Sequence, residues 1–303
     1  MITLKQLTYA LAVDKTKHFK KAAEMCSVSQ SALSTAISEL ESQLGIQIFE
    51  RDTKRVLTTK VGEDLLEKAR DIKIRMDDLY QLSKRQTSPL NHPLSIGVIP
   101  TIGPYLLPKV LPEVRKQYPD LELTILEEQS HVLVEMVKNG DIDAGILALP
   151  YPLDGLHAFE FWQEDFFMVA HNTDSHAQQV EITSDEIRET RLLLLKDGHC
   201  LKEHAMAACK LQATEGGSYS MSGASLYTLI HMVAGRMGTT LVPQMALDQL
   251  IIEGSELKAV HLDEPGPHRT IAFITRLNYA GVKDIELLMN IFREQLKKYC
   301  TEH

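Results

Sequence analysis

Between Thr59 and Gln86 the chain carries no proline, and apolar residues fall at Leu65, Ala69, Ile72, Met76 and Leu79, in alternating steps of four and three. That spacing is a heptad seam. A helix of about 28 residues would span roughly 42 Å, and so narrow a stripe leaves a lone helix marginal in water. The seam therefore needs cover, either from the same helix of a second copy or from the chain's own body. Thr87-Ser88-Pro89 and Asn91-His92-Pro93 then stop the helix. The chain divides accordingly into an N-terminal module (1–58), a linker helix (59–88) and a body (89–303).

In the module, Leu4, Leu7 and Leu11 recur at helical spacing, and a second helix starts near Phe19, with the small pair Ala22-Ala23 suited to a close helix crossing. Ser29 is a good N-cap for a third helix, Gln30 to Gln43, with Leu33, Ile37, Leu40 and Leu44 inward and Gly45 as its stop. Two short helices, a tight turn and a third helix make a helix-turn-helix. The outward face of the third helix holds Gln30, Ser31, Ser34, Thr35 and Ser38, with Ser29 at its start. Short hydrogen-bonding groups of this kind suit a helix in the DNA major groove. The run from Ile48 to Thr58 reads as a two-stranded wing, where Arg51, Lys54 and Arg55 are candidates for phosphate contacts. An ordinary helical bundle with a polar surface would show much of this pattern too.

The net charge of −9 argues against nucleic acid only if the chain is one object. Residues 1–60 carry nine Lys/Arg against six Asp/Glu, whereas residues 89–303 carry 17 against 29. A mildly basic module on an acidic body fits a protein that touches DNA at one end. No apolar run approaches the ~20 residues of a membrane span, and the start lacks a signal-peptide core, so the expected location is the cytoplasm. Four cysteines are too few for a disulfide framework. Any disulfide here would be regulatory or catalytic.

The run Phe19, Ala22-Ala23, Val28-Ser29-Gln30-Ser31-Ala32-Leu33-Ser34, followed by Ile37, Leu40-Glu41, Leu44-Gly45, Ile48-Phe49, Arg51, Leu57-Thr58 and Gly62, closely resembles the winged helix-turn-helix of LysR-type transcriptional regulators. The resemblance implies double-stranded promoter DNA as a partner, and a linker helix paired with another subunit in a homodimer or homotetramer. It also implies contact with RNA polymerase.

Beyond Pro93 short strands alternate with helices, from Leu94–Ile99 onward, an α/β pattern that predicts a parallel sheet. A strand at Thr270–Ile274 and a helix from Val282 return to the first half. The expected fold is α/β, with subdomain I at about 89–164 and 269–303 and subdomain II at about 165–268. This body resembles the periplasmic-binding-protein-like regulatory domain of the same family, with a sensing cleft between subdomains.

Chemistry concentrates in Lys196-Asp197-Gly198-His199-Cys200-Leu201-Lys202-Glu203-His204-Ala205-Met206-Ala207-Ala208-Cys209. Asp197-Gly198 suggests a turn, and Leu201–Ala208 favours helix. On one continuous helix the two cysteines would stand about 13.5 Å apart along the axis, whereas a disulfide needs Cα atoms within roughly 4.4–6.8 Å. Bonding would require the segment to unwind. Lys202, His199 and a helix N-terminus are each able to lower the Cys200 pKa. Two other readings stay open: inert buried thiols, or a zinc site from His199, Cys200, His204 and Cys209, whose spacing matches no standard structural site.

Gly198-His199-Cys200-Leu201, the cysteine nine positions later, and Ile99-Pro100-Thr101-Ile102-Gly103-Pro104-Tyr105-Leu106-Leu107-Pro108 are similar to the peroxide-sensing members of the LysR family. That resemblance implies hydrogen peroxide as the signal, Cys200 as the peroxidatic thiol and Cys209 as the resolving one, joined in a reversible disulfide. Thr101 and Ser130 would orient peroxide, with serine where relatives carry threonine, and His199 and Arg269 would line or support the pocket. A thiol reductant such as glutaredoxin or thioredoxin would reset the switch, with no cofactor and no metal. Ser220–Ala224 departs from the pattern, and Cys26 and Cys300 read as incidental. The competing functions are a LysR-type receptor for a small organic effector and a thiol peroxidase, against which the DNA-binding module argues.

Overall fold

Thr3 starts the first helix by a reciprocal cap: its hydroxyl accepts the Gln6 amide N–H at 3.3 Å, and Gln6 Oε1 accepts the Thr3 N–H at 2.9 Å. The computed structural model describes residues 1–51, 56–85, 89–211, 222–223, 225–252 and 254–301, and these form two compact units, Met1–Gln86 and Thr87–His303.

The first unit contains α1 (Leu4–Thr16), α2 (Phe19–Met25), α3 (Gln30–Leu44), β1 (Phe49–Arg51), β2 (Val56–Thr58) and α4 (Lys60–Arg85). Leu33, Ile37 and Leu40 of α3 are fully buried, and Ala22 and Ala23 let α2 close on the same core. Leu44 is left half-buried at its margin. Gly45 ends α3 in the left-handed region at φ +65°. The wing pairs Phe49 with Thr58 and Arg51 with Val56.

Helix α4 is seated on this core rather than merely joined to it. At Gly62 an added Cβ would come 2.4 Å from the Ile48 carbonyl oxygen, so only glycine allows the approach. Leu66 and Ala69 are buried in the same core, where α4 packs on α1. Asp14 fastens the arrangement, taking Lys17 at 2.6 Å, the Thr58 hydroxyl at 2.9 Å and Arg70 of α4 at 2.6 Å. The expected seam is thus divided and shifted. Its start is covered by the chain's own module, chiefly through Leu66, which the heptad count omits, while Ile72 and Leu79 remain 46% and 61% exposed.

The second unit has two sheets. One contains β3 (Leu94–Val98), β4 (Leu123–Glu127), β5 (Ala144–Leu149), β6 (Leu156–Glu164) and β13 (Arg269–Arg276), in the order β4-β3-β5-β13-β6. The other contains β7 (Phe166–His171), β8 (Glu181–Ile182), β9 (Leu192–Leu195), β10 (Ser222–Gly223), β11 (Thr239–Pro243) and β12 (Leu257–Leu262), in the order β10-β9-β11-β7-β12-β8. Their helices are α5 (Gly103–Gln117), α6 (Ser130–Asn139), α7 (Ser184–Glu189), α8 (Cys200–Ala208), α9 (Leu226–Ala234), α10 (Leu247–Leu250) and α11 (Val282–Thr301).

The sheets are mixed, which corrects the expectation of a parallel one. Strand β3 is parallel to β4 and β5, but β13 is antiparallel to β5 and β6. The chain leaves the first sheet through β6 and returns through β13 alongside it, with Glu164 opposite Arg269. An exit and a return at one edge must run in opposite directions.

Candidate functional site

Gly198 sets the position of α8. Its φ is +95°, and an added Cβ would come 2.7 Å from the Gln129 side chain, so the loop before α8 lies against the residue before α6. The first residues of the two helices are thereby brought together. Cys200 is 3% exposed and Ser130 2%, and the thiol is hydrogen-bonded by the Ser130 side chain and the Ala148 backbone. Burial pushes the thiol above its ordinary pKa, and the Ser130 bond, the Arg269 charge and the Ala148 bond oppose that shift without cancelling it.

Thr101, between β3 and α5, and Arg269, first residue of β13, are also buried. Arg269 donates through Nε to Glu164 Oε1 at 2.8 Å and through Nη2 to the Thr101 carbonyl at 3.3 Å. Glu164 Oε2 in turn accepts the Met245 N–H at 2.7 Å. Thr101 Oγ1 and Arg269 Nη1 are buried without a hydrogen-bond partner. Orphaned donors of this kind are uncommon. Beside a buried thiol, they suit a small, uncharged, hydrogen-bonding reactant.

His199 caps α8 with its backbone, and burial holds its pKa below the usual imidazole value, which favours the neutral form. Lys202 does not act on the thiol as expected: it pairs with Asp197 at 2.5 Å. Two residues along a helix point to different faces. The groups that lower the Cys200 pKa are Ser130, Arg269 and Ala148.

Cys209 caps the far end of α8, fully buried, with its thiol pushed up to about 12 by burial and by the Glu264 charge, against the pull of Arg188. That end is clamped, since Arg188 donates to the Lys210 carbonyl at 2.8 Å and Lys210 pairs with Glu264 at 2.7 Å. Both thiols are free, at opposite ends of one helix about 13.5 Å long. Among the described residues no three His, Cys, Asp or Glu side chains converge as a metal site. His204 Nε2 instead lies 3.0 Å from the Pro150 carbonyl.

On α3, Gln30, Ser31, Thr35 and Ser38 are exposed and Ser34 is half-buried. Ser29 is a working cap, its Oγ accepting the Ala32 N–H at 3.2 Å and lying 3.1 Å from Ser31 Oγ. Ser34, Thr35 and Ser38 share a shallow surface with Glu39, Ser42 and Gln43. The outward candidates named from the sequence end at Ser38 and omit these last three, although the helix was expected to run to Gln43. Arg51 ends β1, while Lys54, Arg55 and most of Ser220–Ala224 lie outside the described residues.

Residues 4–63 match the bacterial regulatory helix-turn-helix proteins of the lysR family, and residues 88–297 match the LysR substrate binding domain. The chain belongs to the LysR family. Its relatives include the HTH-type transcriptional regulator EstR of Acinetobacter baylyi, 35% identical over 96% of both chains. They also include the DNA-binding transcriptional dual regulator OxyR of Escherichia coli K12, 33% identical over 91% of this chain and 90% of the relative. Among solved structures, a full-length OxyR variant from Pseudomonas aeruginosa superposes with a TM-score of 0.79 at 31% identity, covering 97% of this chain and 98% of that one. A Corynebacterium glutamicum OxyR mutant with hydrogen peroxide bound gives 0.68 at 30% identity, covering 98% and 94%. The LysR-family fold, a winged helix-turn-helix with a two-sheet α/β regulatory body, therefore holds over the full chain, and the family is one of regulators rather than enzymes. Among the described residues no helix is long and apolar enough to cross a membrane.

Proposed function

We propose that this LysR-family chain is a peroxide-responsive transcriptional regulator whose DNA binding is set by the thiol state of Cys200 and Cys209. The observation that carries the reading is the buried Cys200 thiol, hydrogen-bonded by Ser130 and set with Thr101 and Arg269, each of which keeps one buried polar atom unpartnered. The likeness to OxyR proteins supports the same signal.

In this mechanism Thr101, Ser130 and Arg269 hold hydrogen peroxide against Cys200, with neutral His199 lining the pocket. Cys200 sulfur attacks one peroxide oxygen, the O–O bond breaks, and the departing oxygen takes up the thiol proton to leave as water. Cys200 becomes a sulfenic acid. Cys209 sulfur then displaces that hydroxyl as a second water, forming the disulfide. Because α8 holds the thiols apart, the second step requires the helix to unwind. Closing a loop of about ten residues restricts the bridged chain by roughly 3 kcal/mol, before strain is subtracted. A dithiol reductant of the glutaredoxin or thioredoxin kind returns both thiols.

Residues 1–58 read DNA through the α3 face and the wing, 59–88 pair two subunits, and 89–303 sense. The homodimer or homotetramer so formed acts on RNA polymerase in the cytoplasm. Cys200→Ser is expected to abolish the peroxide-induced change in DNA footprint and to keep basal binding. Cys209→Ser should still consume one equivalent of peroxide and stop at a sulfenic acid, seen by mass spectrometry. A footprint that still shifts in the Cys200 variant would overturn the mechanism.

A further inference from the structure

Between the two cysteines, on the face of α8 that carries Cys200, sits a titratable side chain that the thiol chemistry leaves unused. His204 follows Cys200 by one helical turn and is 4% exposed. Its Nε2 lies 3.0 Å from the carbonyl oxygen of Pro150, just after β5. A carbonyl only accepts, so Nε2 carries the hydrogen and Nδ1 is a bare acceptor. That Nδ1 is buried without a hydrogen-bond partner.

A second proton has no place on this ring. It would sit on Nδ1, away from water, and an unpaired buried charge is costly. Burial holds the ring's pKa below the ordinary imidazole value; the Pro150 bond opposes that shift and the Arg269 charge adds to it. Arg269 is itself paired with Glu164. Beside Pro150, Tyr151 stands within range of Cys200 and Glu203, and β9, which α8 also packs on, is made of four leucines. The wound helix holds the cysteines about 13.5 Å apart, and His204 lies in the middle of what must unwind before they can bond. We propose that His204 is a positioning residue of the thiol switch, a neutral latch on the wound helix that takes up one proton when α8 unwinds, so that acidity and oxidation favour the same form.

This coupling rests on the disulfide switch proposed above and sets the pH range in which it is felt. The unwound, oxidised form binds a proton that the wound, reduced form excludes. Between the ordinary imidazole value of about 6.5 and the lowered one, the oxidised form therefore gains as pH falls. Above that range both forms are neutral and the coupling vanishes. Burial holds both thiols above their ordinary value, so in the reduced form they keep their protons throughout.

The test equilibrates the full-length chain with mixtures of reduced and oxidised dithiothreitol between about pH 5.5 and about pH 7.5, the span over which an ordinary imidazole titrates. The Cys200–Cys209 disulfide is measured by mass spectrometry after alkylation. In this exchange two S–H bonds form on the protein and two are lost from dithiothreitol, which closes to its own disulfide. The thiol hydrogens cancel, and only the His204 proton passes to solvent on reduction. The equilibrium constant for reduction should be level at the upper end and fall on acidification, approaching about tenfold per pH unit below about pH 6.5. His204→Gln should make it level throughout, and His199→Gln, which removes the segment's other imidazole, should keep the slope. A level constant in the unaltered chain, a slope that survives His204→Gln, or a slope lost in His199→Gln would each overturn the latch and leave the disulfide switch standing. A chain that forms no Cys200–Cys209 disulfide would overturn both.

Discussion

Arg269 and Glu164 meet with no exposed side-chain surface on either, Nη2 to Oε1 at 2.7 Å. Replacing a buried pair by apolar groups can be neutral, but removing one partner strands a charge and costs about 3–5 kcal/mol. Glu164→Gln keeps the shape and strands Arg269, so urea unfolding should show a loss near 3 kcal/mol, with a changed rate of Cys200 oxidation by peroxide. A loss below about 1 kcal/mol would show that Arg269 is held by other means. Cys200, Thr101, Ser130 and Arg269 were legible in the sequence through motif resemblance, and the structure brings them together. Glu164 was not. It lies 105 positions before Arg269, at the end of a strand that no hydrophobic run announces, and only the β6–β13 register makes them neighbours. Lys202 failed for the opposite reason, being close to Cys200 in sequence but committed to Asp197.

Helix α8 has nine residues, too short to persist alone in water. Its stability comes from packing Leu201, His204 and Ala205 inward and from its ends: Gly198 against Gln129, and Lys210 against Arg188 and Glu264. Local clamps of this kind suit the unwinding and re-forming that the proposed disulfide step requires. Gly198→Ala should strain the first clamp, combining a positive φ with a contact on Gln129, at about 1–2 kcal/mol. Cys200 would be displaced from Ser130, and its peroxide reaction should slow several-fold in stopped-flow measurements. An unchanged rate would separate the loop from the thiol's alignment. The helix itself was legible, because Leu201–Ala208 are good helix formers. Strand direction was not, because apolar runs at β5 and β13 carry no sign of which way the chain travels.

At the scale of the molecule, the assembly proposed above rests on the exposed part of α4. Ile72 and Leu79 stand one heptad apart, both open to solvent in the single chain. Converting both to Asp should dissociate the oligomer to monomers in analytical ultracentrifugation while the unfolding of each unit changes little. An unaltered sedimentation profile would move the interface elsewhere. The seam was legible as a period of seven. Its split between a buried start and an exposed remainder was not, because Leu66 serves the module's own core, which a repeat count does not see.

The seat of α4 has a final consequence. With Gly62 against the Ile48 carbonyl, and Leu66 and Ala69 in the core that also holds Leu33 and Ile37, the base of α4 is seated on the body that presents α3. In the dimer proposed above, a few degrees of twist applied along α4 would swing the two modules apart or together, and on B-form DNA that arc is counted in base-pair steps of about 3.4 Å.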